Sequence, residues 1–130
     1  MQLPVTGFSH VAIRVSDFAR SRRFYVDVLG LPVLMEFEDA VIVKIGGSFM
    51  GVLGGAPETS RDDRFDPMRV GLDHVSLAVE TVDDLERTKH ELDAAKVRND
   101  GIHDEPELNA KGLVFYDPDG IAVELYVIQR

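Results

Sequence analysis

The stretch that decides the fold is Gly7-Phe8-Ser9-His10-Val11-Ala12-Ile13-Arg14-Val15, because it returns sixty-four positions later as Gly71-Leu72-Asp73-His74-Val75-Ser76-Leu77-Ala78-Val79. Gly, His and both Val recur at matching places, while Phe/Leu and Ile/Leu are apolar exchanges. Both segments alternate apolar with small or polar residues, the period-two pattern of a half-buried strand. An internal repeat of this length points to a duplicated supersecondary unit.

The residues that follow each strand also correspond. After Val15, Ser16-Asp17 marks a helix start, Phe18, Tyr25, Val28 and Leu29 form a loosely spaced apolar stripe, and Gly30 is the stop. After Val79, Thr81 is the expected N-cap, with Asp83 and Asp84 in the first turn where the helix dipole favours acids. Val82, Leu85, Leu92 and Ala95 mark one face of a helix predicted to end near Lys96.

Strands close each half. In the first they are expected over 33–37, 40–45 and, after the Gly46-Gly47 turn, 48–53. In the second they are expected around 97–98, over 113–116 and over 121–127, the last two joined by Asp117-Pro118-Asp119-Gly120. Proline presets φ and glycine accepts positive φ, so that tetrapeptide is a turn with a mechanism. The aperiodic segment 99–112, carrying His103, Pro106 and Lys111, is expected to be a loop forming a rim or lid over a site. The predicted plan is α+β: two βαβββ modules, 7–54 and 71–128, forming a curved mixed-sheet cup within one domain spanning 1–130, with 55–70 as linker.

Size and charge narrow the function. The chain has 130 residues, enough for one domain with a real core. Fourteen Lys plus Arg against 23 Asp plus Glu give a formal charge of −9, which argues against a broad grip on nucleic-acid phosphates. The sequence has no Cys, which excludes disulfides and thiolate ligands. Apolar runs fall far short of the ~20 residues of a membrane span, and residues 1–10 do not read as a signal peptide, so a cytoplasmic location is expected.

Strand parity supplies the chemistry. If Val11, Ile13 and Val15 face the helix, His10 and Ala12 face the other way. The repeat puts His74 and Ser76 on the equivalent face, and the row Ile121, Val123, Leu125, Val127 puts Glu124 and Tyr126 there too. Any one such residue is more commonly a satisfied polar side chain. Two imidazoles and a carboxylate sharing one face, two of them at identical repeat positions, are instead a candidate ligand set for Fe(II), and also for Mn, Ni, Co or Zn. Glu124 lies four residues past Gly120, and four past Gly47 is Gly51, so the twin corner offers no side chain. Phe49, Leu53 and Tyr126 have the parity to line a substrate cavity.

Taken together, these motifs resemble the vicinal oxygen chelate superfamily, which includes glyoxalase I, extradiol dioxygenases, fosfomycin resistance proteins and bleomycin resistance proteins. The motifs are the paired Gly-x-x-His-Val starts, Ser16-Asp17, Phe24-Tyr25 with Leu29-Gly30, and Asp117-Pro118-Asp119-Gly120 followed by Glu124. The resemblance implies metal ligands His10, His74 and Glu124, with Glu124 also the candidate catalytic residue. It implies a divalent-metal enzyme chelating a small substrate or antibiotic through two adjacent oxygens, by lyase, transferase or dioxygenase chemistry, in a homodimer. Gly51 departs from the four-ligand glyoxalase pattern. Val114, where the dioxygenases carry tyrosine, and His103, too far upstream for their second-shell histidine, depart from the dioxygenase pattern. The competing expectation is a metal-free binding protein of the bleomycin resistance type.

Overall fold

A two-residue connection, Gly46-Gly47 with Gly46 at φ +54°, pairs Ile45 with Ser48 and sets the register of the N-terminal sheet. The computed structural model describes residues 1–130 and divides into two units, Met1–Asp63 and Arg64–Arg130. In the first unit β1 (His10–Arg14) leads to helix α1 (Phe18–Arg22), then to β2 (Val33–Glu36), β3 (Ala40–Ile45) and β4 (Ser48–Leu53). The second repeats the plan with β5 (Val75–Ala78), α2 (Val82–Ala94), β6 (Asn99–Glu105), β7 (Ala110–Tyr116) and β8 (Ala122–Ile128). The sheet orders are β1-β4-β3-β2 and β5-β8-β7-β6, each with its first pair parallel and the others antiparallel. Both units are therefore βαβββ, as the repeat requires.

Each sheet buries one face. Register sets Val41 opposite Val52 and Val43 opposite Met50, and all four are buried with Ile13 and Val15. In the second unit Val75 and Phe115 both flank Val123, and Leu113 flanks Leu125. Helix α2 packs against β6, β7 and β8, inserting Leu85 and Leu92, both buried. The opposite faces carry the small and polar residues that parity assigned to them.

Helix ends follow their caps. The Asp17 side chain accepts from Arg20 N at 3.2 Å, and Thr81 and Asp84 form a reciprocal capping box. After α1 the chain widens into a π-helical segment, Arg23–Val28, that buries the neighbours Phe24 and Tyr25 and leaves Val28 exposed. The loose apolar spacing read from the sequence is this change of helical pitch, and Val28 does not join the buried stripe.

The second unit corrects the expectation for 97–112. The strand is not around Val97-Arg98; it runs through Asn99–Glu105, and the segment read as a lid is mostly paired backbone. Only Pro106–Leu108, a single 3₁₀ turn, and Asn109, at φ +49°, separate β6 from β7. A shift in register between Asn99 and Ile102, with Gly101 at φ +74°, bends the strand there. No helix is long and apolar enough to cross a membrane.

Candidate functional site

Cross-strand register builds the polar face of the C-terminal unit. Ser76 on β5 stands opposite Glu124 on β8, and the Ser76 hydroxyl donates to Glu124 Oε1 at 2.9 Å. Glu124 is only 6% exposed, so its carboxylate must be satisfied by neighbours rather than by bulk water. His74, immediately before β5, brings Nε2 to 3.6 Å from the same oxygen. The structure thus brings together two of the residues singled out from sequence, His74 and Glu124.

The other nitrogen of His74 is also accounted for. Nδ1 lies 2.7 Å from Asp73 Oδ1, and in the tautomer with its proton on Nδ1 the ring donates to that carboxylate and offers Nε2 as a ligand atom. In the N-terminal unit, Ser9 Oγ lies 3.0 Å from His10 Nδ1, so the residue before each repeated histidine engages the same ring nitrogen. His10 stands at the start of β1 with its ring stacked on Phe49, centroids 4.7 Å apart. Such an outer partner fixes tautomer and ring orientation in metal-ligating histidines.

Phe49, Gly51 and Leu53 share one face of β4. A Cβ added to Gly51 would meet Ala12 Cβ at 3.6 Å and Leu53 Cδ2 at 3.6 Å, ordinary contact distances in an apolar setting. Tyr126 lies on the face of Glu124, and its hydroxyl donates to Glu105 Oε2 at 2.6 Å. That bond pushes the phenol up to about 12 and holds the Glu105 carboxyl below the usual range.

The sequence placed His103 only on a rim or lid, and did not mark Glu105 as its neighbour in the site. His103 Nε2 lies 3.4 Å from Glu124 Oε2 and 3.4 Å from Glu105 Oε1. Both residues project from β6, two positions apart and hence on one face. The available signal was the spacing His103-x-Glu105, hidden because the segment lacks the branched and aromatic residues that mark strands. Gly112, opposite both His103 and Tyr126, makes the arrangement possible. A Cβ there would stand 2.5 Å from His103 Cε1 and 2.8 Å from Glu124 Oε2, so the side chains occupy the volume glycine leaves free. Imidazole nitrogens and carboxylate oxygens turned toward one another in such a cradle suit a divalent cation, and the donor chemistry fits the group.

A duplicated βαβββ plan with donors at the start of the repeated strand and on the closing strand defines a family. The chain belongs to the Glyoxalase/Bleomycin resistance protein/Dioxygenase superfamily, whose family model matches residues 7–125. It is 30% identical over 124 residues to the uncharacterized protein YwkD of Bacillus subtilis (strain 168), covering 90% of this chain and 93% of that one. It is 25% identical over 127 residues to the metallothiol transferase FosB of Staphylococcus haemolyticus (strain JCSC1435), covering 94% and 84%. Among solved structures it is similar to a glyoxylase/bleomycin resistance protein/dioxygenase domain from Frankia sp. EAN1pec, with TM-score 0.81, 28% identity and coverage of 96% and 99%.

Proposed function

We propose that this protein is a divalent-metal-dependent enzyme whose cation is held by His74, Glu124 and His10. The observation that carries the reading is His74 itself: Nδ1 is engaged by Asp73, and Nε2 stands 3.6 Å from the carboxylate of a buried glutamate, Glu124. His10 repeats the arrangement through Ser9 and is the third donor, from the N-terminal module of the same chain or of a second copy. The name of the relative FosB, a metallothiol transferase, accords with a metal-using member of the family. Fe, Mn, Ni, Co and Zn all suit two imidazoles and one carboxylate.

When bound, such a cation supplies a Lewis acid that stabilises negative charge developing on one of two adjacent substrate oxygens. The chain's own residues do the rest. Ser76 holds Glu124 Oε1 in place, and Asp73 keeps His74 in the tautomer that presents Nε2. Phe49, Leu53 and Tyr126 are proposed to contact the substrate, a small oxygen-rich metabolite or antibiotic. Assembly as a homodimer and a cytoplasmic location belong to the same proposal. Strand β2, exposed at all four positions and carrying Val33, Leu34 and Met35, supports assembly because an apolar edge strand invites a covering partner.

The test is metal content. Protein grown in minimal medium and equilibrated with Mn(II) retains the ion, and His74→Ala retains less of it with an unchanged circular dichroism spectrum. Full-length protein that retains none of Fe(II), Mn(II), Ni(II) or Zn(II) overturns the enzyme reading and leaves a metal-free sequestering protein.

A further inference from the structure

Each carboxylate beside His103 has one oxygen tied by a hydroxyl and the other turned toward the imidazole. Glu124 Oε1 accepts from Ser76, while Oε2 lies 3.4 Å from His103 Nε2. Glu105 Oε2 accepts from Tyr126, while Oε1 lies 3.4 Å from the same nitrogen. One ligand atom from each of His103, Glu105 and Glu124 lies within 4.8 Å of the others. We propose that these three residues form a second cation seat, distinct from the His10/His74 set and joined to it by Glu124.

The distances fit a cation held between the groups better than direct hydrogen bonds. Good N–H···O bonds are about 2.7–3.2 Å long, shorter than either His103 contact. Donors about 2.0–2.1 Å from a tetrahedral cation stand roughly 3.4 Å apart, the separation His103 Nε2 keeps from both carboxylates. The hydroxyls of Ser76 and Tyr126 act as the outer partners that orient metal-binding carboxylates. Gly112 gives the donors room to converge: any larger residue would push a methyl group into His103 and Glu124 Oε2, at 2.5 and 2.8 Å.

Charge and composition indicate which ion. Two carboxylates converging on one imidazole leave the cluster net negative, and two oxygens with one nitrogen suit Mn(II), Fe(II) or Zn(II). Every donor of this seat lies in the C-terminal unit, on β6 or β8. His103 and Glu105 are about two-fifths exposed, which leaves a path for the ion to enter.

The inference rests on the reading of Glu124 as a metal ligand, and stoichiometry separates the two claims. Metal-stripped full-length protein is dialysed against Mn(II) and bound metal is counted. The expected result is two equivalents per chain, falling to one in His103→Ala and in the milder Glu105→Gln, with unchanged circular dichroism. His74→Ala loses the other equivalent and keeps the one that depends on His103. A wild-type protein holding a single equivalent that His74→Ala removes, or one whose stoichiometry and affinity are unchanged by His103→Ala and Glu105→Gln, overturns the second seat and leaves the His74 site standing. Retention of the His103-dependent equivalent, with no loss in His74→Ala or His10→Ala, upholds the seat and overturns the proposed function's ligand set.

Discussion

The two units share a plan and differ in the chemistry of equivalent positions. Ala12 opposite Gly51 in the first corresponds to Ser76 opposite Glu124 in the second. Arg14 opposite Leu53 corresponds to Ala78 opposite Tyr126, and Ala40 opposite Leu53 corresponds to Gly112 opposite Tyr126. The first unit's face is thus built mainly of methyl groups and rings, with His10 at its end. The second concentrates hydroxyls, carboxylates and imidazoles. Duplication preserved the ladders and an apolar row along each sheet, because those hold each sheet together, and left the opposite face free to specialise into a mainly apolar wall and a donor cluster.

The two glycines give the largest expected effect. Gly112→Ala places a methyl group 2.5 Å from His103 Cε1 and 2.8 Å from Glu124 Oε2. We expect it to weaken Mn(II) binding at least tenfold and to cost about 1–3 kcal/mol in denaturant unfolding. Gly51→Ala meets its neighbours at 3.5–3.6 Å and should instead be neutral or stabilising by about 0.5–1 kcal/mol. Equal costs for the two would show that the faces are not differently packed.

The histidine partners come next. Removing an outer partner typically costs about 10–100-fold in metal affinity. Asp73→Asn should fall in that range, since the carboxylate on His74 Nδ1 is charged, whereas Ser9→Ala should cost His10 less. Isothermal titration with Zn(II) measures both, and a larger loss at Ser9 would contradict the stronger effect expected of the charged Asp73 partner.

Much of this was legible in the chain itself. The repeated strand starts placed His10 and His74, the caps Asp17 and Thr81 located both helices, and alternation put His74, Ser76, Glu124 and Tyr126 on one face. Strand β6 was not legible, because Asn99-Asp100-Gly101-Ile102-His103-Asp104-Glu105 has loop composition and acquires its form from the ladder with β7. Local propensity is overridden there by pairing with the neighbouring strand of the same hairpin. His103 and Glu105 were lost with it. The π-helical segment was hidden for a different reason, since one added residue in a turn changes which side chains are buried without changing composition.

A smaller contrast lies in the helix caps. Asp17 offers α1 a single long bond, whereas Thr81 and Asp84 close a reciprocal box on α2. Thr81→Ala should cost about 1 kcal/mol in thermal unfolding. The bond from Thr81, aided by Arg87, holds the Asp84 carboxyl below its ordinary value of 3.8. The linked stability is therefore fully present above that value and is lost as pH falls through the lower, folded-state value. An acid titration of the helical circular dichroism signal should show this loss in the wild type and a weaker one in Thr81→Ala.

The central claim is that the C-terminal unit's polar face is a metal-binding surface anchored on His74 and Glu124. Anomalous diffraction from Mn(II)-soaked crystals tests it most directly. The account predicts a peak within bonding distance of His74 Nε2 and Glu124 Oε1, absent from Glu124→Ala crystals. Peaks confined to other surfaces at saturating Mn(II), with the two side chains still in van der Waals contact, would contradict it.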